Sequence, residues 1–223
     1  MSFKLNIIGE TGLQFFGKMS ASNFHEINNV LAIINENAGL LEDFGLMIKD
    51  GSPVEPERLL AVSEKIIKQV QRANTIVKTI NRFSHSVDKS VKRIDLGETL
   101  AFMAELSARI AERRGVTLKP ELPATQVKIT TSPFFLENLV WLCLDFAMNV
   151  TGVGKTVRLA VKQTENGALV KFTRLEAFAE LQDDTFPAEQ ENALLGSLGA
   201  KLTADPDGGE IIITLPESIA EAA

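Results

Sequence analysis

The sequence predicts an α+β chain: an antiparallel helical hairpin that forms a four-helix bundle with a second copy of itself, followed by an α/β sandwich. Three observations predict it. Two long N-terminal stretches carry apolar residues at alternating steps of three and four, the seam of a bundle helix rather than the broad face of a surface helix. A polar run, Ser84 to Arg93, then ends that periodicity. Beyond it, short alternating apolar stretches bounded by turn residues interleave with helical ones, the pattern of a sheet backed by helices. The expected domains are residues 1–88 for the hairpin and 94–223 for the sandwich.

Met1 to Thr11 gives no clear element, although Lys4 to Ile8 suits a small strand or a helix lead-in. Thr11 suits an N-cap, and the first helix is expected to run from there to about Ile48. Its seam is Phe24, Ile27, Leu31, Ile34, Ala38 and Leu41. At about 100° per residue, His25 and Asn29 fall nearly opposite that seam, with Lys18, Ser22 and Glu36 beside them. Ile33 is the apolar residue of that outward side. Asp50 to Pro53 break the helix, and Pro56 opens the next, with Leu59, Ser63, Ile66, Val70, Ala73, Val77 and Ile80 as its seam to about Phe83. A hairpin cannot bury two seams alone, so a homodimer is expected.

After the linker, Leu96 to Arg114 reads as a helix ended by Gly115. Val116 to Leu122 and Gln126 to Thr130 read as strands, and Ser132-Pro133 opens a helix through about Val150. Val157 to Gln163 and Ala168 to Arg174 alternate around Asn166-Gly167, a hairpin signal. A helix near Pro187 to Leu198 precedes a last hairpin, Lys201 to Ala204 and Glu210 to Leu215, over Asp207-Gly208-Gly209. The tail after Pro216 is expected to fray. There is no internal repeat.

Composition narrows the function classes. With 223 residues and 45% apolar side chains the chain can bury a real core. A net charge of −6 and no basic run with interleaved aromatics argue against nucleic acid. The single cysteine, Cys143, lies in an apolar run and reads as a small buried hydrophobe, which suits a reducing compartment. No apolar run reaches the roughly 18–20 residues of a membrane span, and the start has no signal-peptide layout. A cytoplasmic protein with no membrane contact is expected.

The run GKMSASNFHEINNVLAII carries the chemistry. Gly17, Met19, Ser20, Ala21, His25, Glu26, Ile27, Asn28, Asn29 and Leu31 match the phosphoacceptor box of two-component histidine kinases, with Val30 where proline is usual. The resemblance continues through Arg72 to Phe83 and through IDLGETLAFMAELSARIAERRGVTL, which is similar to the entry helix and first strand of the kinase ATP-binding domain. A lone histidine on a bundle helix is ordinarily a surface residue; ten matched positions set His25 apart, whereas His85 beside the linker reads as a solvated helix-end residue. Imidazole offers an unprotonated nitrogen near neutral pH to an in-line phosphoryl donor. The resemblance implies that Glu26 is the acid that serves the family as general base. It implies that Asn29, one turn on, is the amide that positions a water for dephosphorylation of the partner.

The nucleotide features of that family do not carry over. Its pair of magnesium asparagines falls on Leu142 and Phe146, which offer no oxygen. Its D-x-G-x-G box falls on Arg174-Leu175-Glu176-Ala177-Phe178, where arginine has no acceptor for an adenine amino group. Of its glycine-rich lid only Gly196 and Gly199 remain. Gly152-Val153-Gly154-Lys155-Thr156 ends like a phosphate loop, but Asn149 stands where the first glycine belongs, and the loop leads from helix to strand. Asp183-Asp184 reads as solvated, and no zinc spacing exists.

The chain therefore resembles a histidine phosphotransferase, a kinase-like bundle joined to a degenerate ATPase-like sandwich. The expected reaction passes a phosphoryl group between His25 and the aspartate of a response-regulator receiver domain, without ATP. The chain is expected to need no cofactor or metal, because the receiver brings the magnesium. Catalysis is expected from His25, Glu26 and Asn29, and docking from Lys18, Ser22 and Ile33. The rivals are a regulator phosphatase using Asn29 and a non-enzymatic protein that sequesters a regulator or kinase.

Overall fold

The computed structural model describes residues 2–180 and 186–219, with side chains from residue 6 onward. The chain divides into two compact units, Ser20–Phe83, and Met1–Met19 with Ser84–Ala223.

The first unit is a helical hairpin. Helix α1 spans Ser2–Lys49 and α2 spans Pro56–Ser84. The α1 end is set by Gly51, whose φ of +83° lets Ser52 N–H donate to the Met47 carbonyl and Gly51 N–H to Ile48, the bonds that close a helix on a left-handed glycine. Proline then starts α2, where a missing N–H costs nothing. Val30 and Phe44 on α1 and Val62, Thr79 and Phe83 on α2 are buried, and the Arg58 guanidinium lies 4.8 Å from the centre of the Phe44 ring. The expected seam is offset from this face: Phe24 is 55% exposed and Leu31 48% in the single chain.

α1 starts earlier than its sequence suggests. Thr11 is a buried residue inside the helix, not its cap. The early turns are held by packing within the second unit, where Gly12 approaches the Phe134 ring and the rings of Phe15 and Phe134 meet at 5.7 Å. Such contacts outweigh the weak helix preference of the segment itself.

The second unit carries a five-stranded mixed sheet of β2 (Thr117–Glu121), β4 (Thr156–Thr164), β5 (Gly167–Thr173), β6 (Lys201–Asp205) and β7 (Glu210–Pro216), in the order β2-β4-β5-β7-β6. Only the β2–β4 pair is parallel. A separate antiparallel pair joins β1 (Lys92–Asp95) to β3 (Lys128–Thr131). The β4–β5 hairpin turns on Glu165-Asn166, one residue before the expected pair, because Thr164 faces Gly167. Gly167, at φ +148°, leaves no room for a Cβ against the Leu215 carbonyl. The expected long helix after the linker is two, α3 (Leu96–Leu106) and α4 (Ala108–Arg113), broken at Ser107. Asp95 caps the first, its Oδ1 accepting from Glu98 N–H at 2.9 Å.

Helix α5 (Pro133–Asn149) supplies most of the core. Leu136, Leu139, Val140, Cys143, Leu144 and Ala147 are fully buried, and so are Val170 and Phe172 of β5 and Ile211 and Ile213 of β7. The alternation along these strands gives the sheet one covered face. Helix α6 (Glu189–Leu198) packs beside α5 and β6. The start of the tail does not fray: Thr130 N–H donates to Glu217 and Ile219 N–H to Thr130. Among the described residues no helix is long and apolar enough to cross a membrane.

Candidate functional site

The hairpin gathers three of the named residues. His25 and Asn29 are both exposed, and residues four apart on a helix are neighbours on one face. Glu26 is turned inward, its side chain only 11% exposed. One carboxylate oxygen, Oε1, accepts from Arg72 of α2 in a close ion pair. The other, Oε2, accepts from Asn29 Nδ2 at 3.4 Å. The site is thus a chain of polar groups, Arg72 to Glu26 to Asn29, that ends on the face carrying His25. Because a carboxylate only accepts, Asn29 must present nitrogen to Glu26, and Oδ1 is the acceptor atom of its amide.

The docking residues are placed less uniformly. Ser22 and Ile33 are half-buried on α1, and the Ile33 carbonyl accepts from Asn37 Nδ2 at 2.7 Å. Lys18 belongs to the sheet-bearing unit. Its ammonium pairs with Asp145 at 3.2 Å and lies 4.6 Å from the centre of the Trp141 ring. Asp145 also pairs with Arg114 at 2.8 Å.

Arg72 is the residue that sequence reasoning passed over, taking it only as the start of a resemblance. A positional signal was present. A hairpin folded about residues 50 and 51 sets position 26 of α1 opposite the mid-seventies of α2, within one turn of Arg72, just as it sets Phe44 beside Arg58. A carboxylate on the inward side of α1 needs a cation there.

The sandwich is different in kind. Phe146 of α5 stacks on Phe186 at 4.0 Å and 15°, and meets Phe178 edge-on at 5.2 Å and 73°. Arg174 is exposed with φ +69°, while Leu175 and Phe178 are buried. The phosphate-loop look-alike is a short 3-10 turn, Gly152–Gly154, and Glu176 packs against both of its glycines. A carboxylate in that place repels an anion. Beneath this surface, burial pushes the Cys143 thiol well up, with the charge of Glu191 adding to it. Asn138 is fully buried, and among the described residues neither of its side-chain polar atoms has a hydrogen-bond partner. Among the described residues no group of three or more His, Cys, Asp or Glu is placed to hold a metal ion. Asp183-Asp184 lies outside the described residues.

No family model matches the chain, and no curated protein matches it. Solved structures give partial likenesses. The histidine kinase AdeS of Acinetobacter baumannii is 14% identical over 86% of this chain and 98% of that one, with a TM-score of 0.49. Histidine kinase ThkA, solved in complex with the response regulator protein TrrA, is 18% identical over 92% of this chain and 63% of that one, at 0.43. The ATP binding domain of PrrB from Mycobacterium tuberculosis is 19% identical over 58% of this chain and 98% of that one, at 0.41. Likenesses at these scores assign nothing to this chain, whose reading rests on its own residues.

Proposed function

We propose that the chain is a histidine phosphotransferase of a two-component phosphorelay, exchanging a phosphoryl group between His25 and the aspartate of a receiver domain. One observation carries the reading: within a ten-position match to the phosphoacceptor box, the histidine is exposed while the adjacent acid is turned inward and tied to α2. In the forward step an imidazole nitrogen of His25 forms a bond to phosphorus as the bond from phosphorus to the receiver carboxylate oxygen breaks. The carboxylate leaves with the electron pair, and the other ring nitrogen gives its proton to water. Magnesium comes with the receiver, and Ser22 and Ile33 border the surface on which it docks.

On this reading residues 1–88 are the phosphoacceptor and dimerisation domain, although the described turns of α1 before Ser20 belong to the sheet-bearing unit. Residues 94–223 are an ATPase-like sandwich that takes no nucleotide. The stacked rings at Phe146 support this, since they fill the position at which the kinase family places an oxygen ligand. The exposed Phe24 and Leu31 support a homodimer, in which a second copy covers them.

The test is to mix the protein with a receiver domain carrying radiolabelled aspartyl phosphate. Acid-labile label should appear on the protein and be absent from His25→Ala; a chain that never takes label would overturn the proposal. The bond between Asn29 and Glu26 favours a second reading, in which Asn29 orients a water that hydrolyses the receiver's phosphate. In that case Asn29→Ala, not His25→Ala, stops the loss of phosphate from the receiver.

A further inference from the structure

Taking His25 as the phosphoacceptor, on which this step rests, we propose that Arg72 is a positioning residue whose hold on Glu26 sets how fast the site loses a phosphoryl group to water.

Glu26 is largely withdrawn from solvent, and its two oxygens are shared between two helices: Oε1 takes the Arg72 guanidinium, and Oε2 takes the Asn29 amide. The ion pair keeps Glu26 ionised and fixes its rotamer, because a carboxylate so placed is costly without a cation. An ionised Glu26 can only accept, which dictates which end of the Asn29 amide faces it. Oδ1 of Asn29 is then the acceptor for a water beside a phosphoryl group on His25. Arg72 touches neither reacting atom. It acts through Glu26, and Glu26 acts through Asn29.

In the hydrolytic step, water oxygen forms a new bond to phosphorus and the bond from phosphorus to the His25 nitrogen breaks. That nitrogen leaves with the electron pair and takes one proton of the water, giving inorganic phosphate and neutral imidazole. Asn29 Oδ1 accepts a hydrogen bond from the water and aims its oxygen. The same orientation serves a water attacking the receiver's aspartyl phosphate.

Phosphoramidate, which phosphorylates imidazole without an enzyme, tests this on the full chain with no receiver present. The half-life of phospho-His25 is read by 31P NMR. Losing one oriented hydrogen bond should lengthen it about tenfold in Asn29→Ala, Glu26→Gln and Arg72→Gln. Arg72→Lys, which keeps the cation, should recover most of the wild-type rate. Combining Arg72→Gln with Asn29→Ala should be no slower than Asn29→Ala alone, a signature that a merely structural role would not produce. In the unphosphorylated protein, 15N NMR should show the two Asn29 side-chain amide protons moving toward a solvent-exposed amide in Arg72→Gln. A wild-type lifetime in Arg72→Gln, beside a lengthened one in Asn29→Ala, overturns the positioning role and leaves the phosphoacceptor reading standing. Failure of the wild type to take phosphate at His25 overturns both. If Arg72→Gln melts the hairpin, the contrast between Glu26→Gln and Arg72→Lys decides in the same way.

Discussion

The outward side of α1 and the aromatic corner of α5 are the two places where the sequence resemblance puts chemistry, and they are built in opposite ways. At the hairpin three side chains are tied in series, the Arg72 guanidinium of α2 to the Glu26 carboxylate and that carboxylate to the Asn29 amide, beside an exposed imidazole. At the corner of α5, Phe146 stands where the resemblance would put an oxygen ligand, stacked on Phe186 and edge-on to Phe178. A hydrogen-bonded chain of three side chains limits each residue to one role. A packed ring limits its position to bulk. On the proposed reading the sheet-bearing unit is kept for packing and the hairpin for reaction, and each half of that statement can be broken separately.

The largest effects come from exchanging the two insults. His25→Ala removes the only nucleophile proposed for the site, so labelling should vanish while the melting temperature stays put, because the side chain lies on an exposed face. Phe146→Ala should do the reverse. The ring is half-buried and makes two aromatic contacts, so its loss should destabilise the sandwich by about 2–3 kcal/mol while label still reaches His25. The comparison fails if Phe146→Ala instead acquires measurable heat of magnesium-ATP binding by calorimetry.

Next in size is the effect on assembly. Leu31 is exposed in the single chain and sits one residue, about 100° round the helix, from the buried Val30. If the expected seam is the contact between two copies, Leu31→Lys buries a charge on pairing and should weaken association at least tenfold, about 1.4 kcal/mol. Light scattering should then find a folded monomer where the wild type is a dimer. An unchanged mass would show that this stripe is not the seam.

A smaller effect is expected at Asn138. Its amide is fully buried, with no partner for either polar atom among the described residues. Leucine has the same branching and no polar atom, so Asn138→Leu should stabilise by about 1 kcal/mol and raise the urea midpoint without changing its slope. Destabilisation would mean that the amide is held by a group that leucine cannot replace, and the sandwich would then be more than packing.

These places also show how far the sequence could be read. The hairpin, the succession of strands along the chain and the opening of α5 at Pro133 follow from periodicity and turn residues, which are local. Which face of α1 packs within one chain was not legible. Steps of three and four describe both the Phe24 to Leu41 stripe and the neighbouring one of Asn23, Glu26 and Val30, and only the second helix decides between them. Thr11 failed as a cap for the same reason, since packing at Phe15 and Gly12 extends the helix past its local signal. At the site, His25, Glu26 and Asn29 were legible as a motif. Arg72 was not, because its tie to Glu26 spans 46 residues and exists only once the hairpin folds.

The smallest effect expected is a pH dependence of the sandwich core. Cys143 is fully buried, and burial, with Glu191 nearby, holds its thiol protonated well above the usual range. In the unfolded chain the same thiol ionises near pH 8.5. Below that pH both states carry the proton, and Cys143 adds no pH dependence. Above it the unfolded state has released a proton that the folded state still holds, so the unfolded state binds fewer protons and stability falls as pH rises. For an unfolded value near 8.5 the loss between pH 8 and pH 9 is about 0.7 kcal/mol. Urea midpoints measured across that range should fall for the wild type and fall less for Cys143→Ala, whatever the cavity left by the substitution does to both ends equally. A thiol reagent should correspondingly react with Cys143 only as the protein unfolds. Equal slopes in the two proteins, or fast labelling of the folded wild type, would mean that α5 opens to solvent and that the sandwich is not the closed packing body that separates it from the hairpin.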